Sequence, residues 1–184
     1  MFFAIVLGAT VAMVAAPAGP ASAVNNYGYT GCKFSTTSIP YDTPVPPTGY
    51  YLSNAQADWQ NNTDVSTWYK TTAAVRTQFS FDYWGSVTWS GLTTYYRCLN
   101  SGGIHNGTVT VQINRSFVDG YAANGKVSVM AHEIGHALGL IDFGSKTTAC
   151  SAAVLENGYD DLRWFTCGIY QTKTDDQTGI NLLY

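Results

Sequence analysis

Residues 132–142 read His-Glu-Ile-Gly-His-Ala-Leu-Gly-Leu-Ile-Asp, an H-E-x-x-H-x-x-G-x-x-D pattern. No other stretch restricts the fold as much. Two histidines four residues apart lie one above the other on an α-helix, so the pattern asks for a helix through His132 and His136. Gly139 then suits the left-handed cap that ends such a helix. The turn can bring Asp142 back toward the histidines. Two imidazoles and a carboxylate form a zinc ligand set, and Glu133 beside the first histidine is a candidate general base. Residues of these types at this spacing suit hydrolysis at a zinc ion.

The surrounding sequence supports the helix. At about 100° per residue, Val127, Met130, Ala131, Ile134, Ala137 and Leu138 gather within about 120° of arc, with His132 and His136 nearly opposite. One face is read as core and the other as the wall of a cleft. Glu133 sits to the side of the two imidazoles, where a base acting on water beside them should stand. The third of the three histidines, His105, lies in the glycine-rich stretch 101–107 and is read as a solvated loop residue, not a ligand.

Residues 2–16 are almost wholly apolar and carry no charge, and Pro17, Gly19 and Pro20 then break the run. Ala21-Ser22-Ala23 matches a cleavage signal, so residues 1–23 are predicted to be a secretory signal peptide and 24–184 a single catalytic domain. The apolar run is too short for a membrane span. Charged residues make up only 11% of the chain, and a net charge of −3 offers no basic patch for nucleic acid. These features predict an extracellular protein, read as a monomer. An even count of four cysteines in an exported chain suggests two disulfides. Of the three pairings, Cys32–Cys98 with Cys150–Cys167 puts one bridge on each sequence side of the motif and is preferred. No C-x-x-C pair favours a second zinc site. Nothing in the sequence indicates structural calcium.

Residues 49–62 are predicted to be helical. Residues 75–83 alternate apolar and polar, as a half-buried strand does. Residues 87–96 suggest a second strand bent at Ser90-Gly91, and 108–113 (Thr-Val-Thr-Val-Gln-Ile) a third. Segment 142–172 has no clear period and is read as irregular. Thr174-Asp175-Asp176-Gln177 matches a capping box with Thr174 as the cap, opening a last helix that packs through Ile180, Leu183 and Tyr184. The fold class is α+β: a twisted mixed sheet packed on a helix, with an active-site helix and a C-terminal helix.

The order strand, connection, zinc helix, glycine turn, third ligand, irregular loop and final helix resembles the metzincins. Segments 131–140 and 174–184 resemble matrixin catalytic domains of secreted bacterial members, over roughly the last 80 residues. The chain departs from matrixins in two ways. Asp142 stands where they carry histidine, a pattern similar to snapalysin. No methionine follows the motif to form a Met-turn; by position Ala153-Val154-Leu155 replaces it, with Leu155 under the metal. The resemblance implies a zinc endopeptidase acting on extended polypeptides, with zinc on His132, His136 and Asp142 and Glu133 as base. Strand 108–113 is expected at the edge of the cleft, pairing with substrate, and Tyr159 is a weaker candidate for the oxyanion. Asp160, Asp161 and water remain open as alternative third ligands. A catalytically silent binding module of the same fold, and an adhesive protein with an accidental motif, remain alternative functions.

Overall fold

Alternating apolar residues build the central sheet. The computed structural model describes residues 27–95, 98–99, 103–143, 150 and 155–184; the side chain of Leu99 is not described, and the expected signal peptide lies outside this set. Strand β1 is Ser38–Asp42, β2 Thr67–Lys70, β3 Thr77–Asp82, β4 Gly91–Tyr95 and β7 Val109–Asn114. They form a five-stranded sheet in the order β2-β1-β3-β7-β4. The pairs β1–β2, β1–β3 and β3–β7 are parallel, and β4 runs antiparallel to β7. In β7, Val109, Val111 and Ile113 are fully buried while Thr110 and Gln112 are not, as the period of two requires. A two-residue hairpin pairs β5 (Cys98–Leu99) with β6 (Ile104–His105).

Against the sheet lies α3 (Ala123–Leu138), the helix demanded by the motif. Val127, Met130, Ala131, Ile134, Ala137 and Leu138, the predicted apolar face, are all buried. Helix α1 (Leu52–Asn62) packs on α3 through Trp59, which is fully buried and donates its indole N–H to the Ala131 carbonyl at 2.8 Å. That bond fixes the backbone one residue before His132. A short helix α2 (Arg115–Val118) links β7 to α3, and α4 (Thr174–Asn181) closes the described chain. No helix among the described residues is long and apolar enough to cross a membrane. Cys32–Cys98 and Cys150–Cys167 are paired, with Cα atoms 5.5 and 5.3 Å apart, as preferred from the sequence.

Four expectations change. Strand β7 is not the sheet's edge: β4 turns back and pairs with its free side, Gly91 opposite Ile113 through Tyr95 opposite Val109. The edge is β4. His105 is not a solvated loop residue. It is 3% exposed, because the hairpin folds it inward beneath the end of α3. The cap of α4 lies one residue earlier than expected. The Lys173 backbone N–H donates to the Asp176 carboxylate at 2.8 Å, and Thr174 is already helical. The nominally irregular segment 142–172 contains a π-helical turn at Asp161–Thr166.

Candidate metal centre

Helix α3 carries His132, Glu133 and His136 into the floor of a cleft of about 600 Å³, with Asp142, Tyr159 and Asp161 also on its wall. The helix ends at Gly139, whose φ of 124° is a conformation that L side chains rarely adopt. A side-chain carbon there would also stand 2.6 Å from the Cys32 carbonyl oxygen. The resulting turn swings Asp142 back over the histidines. Asp142 Oδ1 is 3.2 Å from His132 Nε2 and 3.4 Å from His136 Nε2, and the two Nε2 atoms are 3.1 Å apart.

Those three separations are the geometric test of a metal. A tetrahedral zinc with bonds of about 2.0–2.1 Å separates its ligand atoms by about 3.3 Å. The donor triangle therefore fits. The far sides of the rings agree: His132 Nδ1 is 2.9 Å from the Leu155 carbonyl and His136 Nδ1 2.9 Å from the Leu140 carbonyl. A carbonyl can only accept, so each Nδ1 donates and each Nε2 lone pair is left for a cation. Metal-ligating histidines are oriented this way.

A second carboxylate competes for attention. Glu156 is fully buried beneath the rings, with Oε2 3.8 Å from His132 Nδ1 and 3.3 Å from His136 Nδ1. It too could complete a metal-holding group with the two histidines. The Nδ1 atoms on that side are already committed to carbonyls, so the Nε2 side with Asp142 is the better centre. Burial pushes the Glu156 carboxyl well above the ordinary range. Burial works against charge on His136 as well, but Glu156, Asp142 and Glu133 outweigh it and push that imidazole up to about 10. Its neighbour His132 is driven down, by burial first and then by the positive charges of Arg163 and His136. Beyond the two Nδ1 protons, the metal-free pair thus takes up one further proton, not two. Burial also opposes charge on Asp142, yet hydrogen bonds and charge from both imidazoles hold its carboxyl well below the usual range.

Glu133 is 4% exposed and is braced by β4. The Thr93 hydroxyl lies 2.7 Å from Glu133 Oε2 and 2.9 Å from the Glu133 carbonyl. A side-chain carbon at position 91 would stand 2.5 Å from Glu133 Oε1, so the strand approaches this closely only because residue 91 is glycine. The loop below the histidines is tied to α4. Asp176, fully buried, accepts from the backbone N–H of Leu155 at 2.9 Å and of Glu156 at 3.2 Å.

Of the residues singled out from the sequence, His132, Glu133, His136 and Asp142 come together. Asp160 is engaged elsewhere, paired with Arg163 and accepting from the Tyr121 hydroxyl at 3.2 Å. Asp160 lines the cleft all the same, as do Asp161 and Tyr159. Leu155 is fully buried, and its carbonyl is what meets His132; Ala153 and Val154 lie outside the described residues. Thr93, Glu156 and Asp176 were not anticipated at the site. Only Asp176 left a trace, as an acidic residue in the first turn of a helix.

Compared with protein-family models, the chain finds no match, and compared with curated proteins it finds none.

Proposed function

We propose that this chain is a secreted zinc endopeptidase of metzincin type. The observation that carries the proposal is the convergence of His132 Nε2, His136 Nε2 and Asp142 Oδ1 at 3.1 to 3.4 Å from one another, beside Glu133. Zinc held by these three residues supplies Lewis-acid polarisation and acidifies water. Glu133, steadied by Thr93, takes a proton from water and delivers it to the leaving amine. The outer side of β4 borders the cleft and offers backbone N–H and C=O groups to an extended peptide, which adds to the sheet as a further strand.

The test combines metal analysis with proteolysis. Purified protein should hold about one zinc per chain, and its casein hydrolysis should vanish with a chelator and return with zinc. Glu133→Ala should keep the zinc and lose activity by about 10²–10⁴-fold, the usual contribution of a general base. A chain that binds no zinc, or a Glu133→Ala variant of undiminished activity, would overturn the assignment. Zinc without hydrolysis would leave the binding-module alternative.

A further inference from the structure

A second cluster of metal-competent side chains stands apart from the cleft, and the endopeptidase reading does not use it. It lies beneath the end of α3, where the β5–β6 hairpin meets the segment around Cys32. Backbone bonds fix the frame: Lys33 N–H to the Gly103 carbonyl at 2.6 Å and His105 N–H to the Lys33 carbonyl at 2.8 Å. Cys98 is paired directly with His105 across the hairpin. Cys32 and His105 are each 3% exposed. Both sulfurs and a ring nitrogen of His105 lie within 4.8 Å of one another.

The imidazole is the informative part. His105 Nε2 is 3.1 Å from the Ala137 carbonyl, so it carries the proton and donates. Nδ1 is then a bare lone pair. It is buried and has no hydrogen-bond partner among the described residues. Buried polar atoms are nearly always satisfied, and an orphan calls for a cause such as a bound ion. The disulfide occupies the two sulfurs and does nothing for Nδ1. A cation bound to the thiolates would. The histidine is already in the state a metal ligand needs, with one nitrogen oriented by a carbonyl and the other free.

We propose that Cys32, Cys98 and His105 form a redox-gated site for a thiophilic divalent cation such as zinc or cadmium, with metal and disulfide mutually exclusive. Two thiolates and an imidazole are a soft donor set suited to such ions, and water completes the fourth position. A dithiol reductant delivers two electrons and two protons to the sulfur–sulfur bond and leaves as a cyclic disulfide. Each thiol of the protein then releases its proton to solvent as its thiolate bonds the cation. Oxidation by a disulfide reverses the sequence and expels the ion. Loading would brace the last turn of α3 through the His105–Ala137 contact.

Cadmium titration of the full chain tests this, followed by thiolate-to-cadmium ultraviolet absorption and by metal content. The His132→Ala/His136→Ala variant is used, so that the first centre contributes nothing. With Cys150→Ser/Cys167→Ser added to that variant, the oxidised protein should show no such absorption, and the dithiol-reduced protein, freed of reductant, should gain one cadmium per chain. His105→Gln should weaken that binding at least tenfold while circular dichroism stays unchanged. Absence of thiolate absorption in the reduced chain overturns the site, as does equal affinity in His105→Gln. These outcomes are independent of the cleft, so either assignment can fail alone.

Discussion

Asp142 does more than add a donor to two histidines. In the proposed zinc centre its carboxylate would remove one unit of positive charge and leave the metal a weaker Lewis acid than one on three imidazoles. It would also be the one donor of that centre outside the rigid helix, delivered by the turn at Gly139. Asp142→Ala should therefore reduce zinc affinity by more than the 10–100-fold typical of a residue that merely supports a ligand. Asp160→Ala should leave zinc affinity unchanged, because that carboxylate is engaged with Arg163 and Tyr121. Competition against a chromophoric chelator reads both. The proton shared by the imidazoles gives a second expectation. With His136 raised to about 10, the metal-free site is protonated at neutral pH. Loading zinc should expel about one proton per ion, and affinity should fall as pH is lowered. Zinc binding followed by calorimetry in buffers of different ionisation enthalpy measures the release.

Single elements show how the sequence constrains structure and where it stops. The helix α3 was legible almost residue by residue, since its apolar stripe and its histidines obey one period. Strand β7 was equally clear from its alternation. Its place in the sheet was not, because a period of two says which face is buried and nothing about which strand lies alongside. Strand β4 is Gly91-Leu92-Thr93-Thr94-Tyr95, with a weak alternation, yet it forms the outer edge and braces Glu133. The capping pattern on α4 misled by one residue for a physical reason. Asp176 is drawn inward to satisfy three backbone N–H groups, two of them from the loop under the histidines. Asp176→Ala leaves the buried N–H groups of Leu155 and Glu156 unpaired, at a cost on the order of 2–5 kcal/mol. Urea unfolding should report that loss, and zinc affinity should fall with it as Leu155 loosens beneath His132.

At the scale of the whole molecule, pH stability should carry the mark of His105. Burial lowers the pKa of this imidazole below its ordinary 6.5, against a smaller raising effect of the Ala137 carbonyl. The unfolded chain therefore takes up a proton before the folded one does. The stabilisation is complete above about 6.5 and is lost as pH falls through the lower folded value. The melting temperature of the oxidised protein should drop as pH is taken below 6.5, and His105→Gln should flatten that slope. Nothing in the glycine-rich stretch around His105 announced its burial. It follows from the pairing of Cys32 with Cys98, a contact between residues 66 apart in sequence. Local pattern marks the elements; distant contacts decide what the loops between them cover.

The tie between Asp176 and residues 155–156 also orders events in time. The helix with both histidines and the glutamate is complete at Leu138, whereas Asp176 lies 21 residues beyond the Leu155 whose carbonyl orients His132. Until α4 docks, the segment that carries the Leu155 carbonyl lacks its tie to Asp176. The chain thus passes through an interval in which its most recognisable motif is complete as sequence but unfinished as a centre. Under the endopeptidase reading proposed above, that order would keep the site incompetent until α4 has docked.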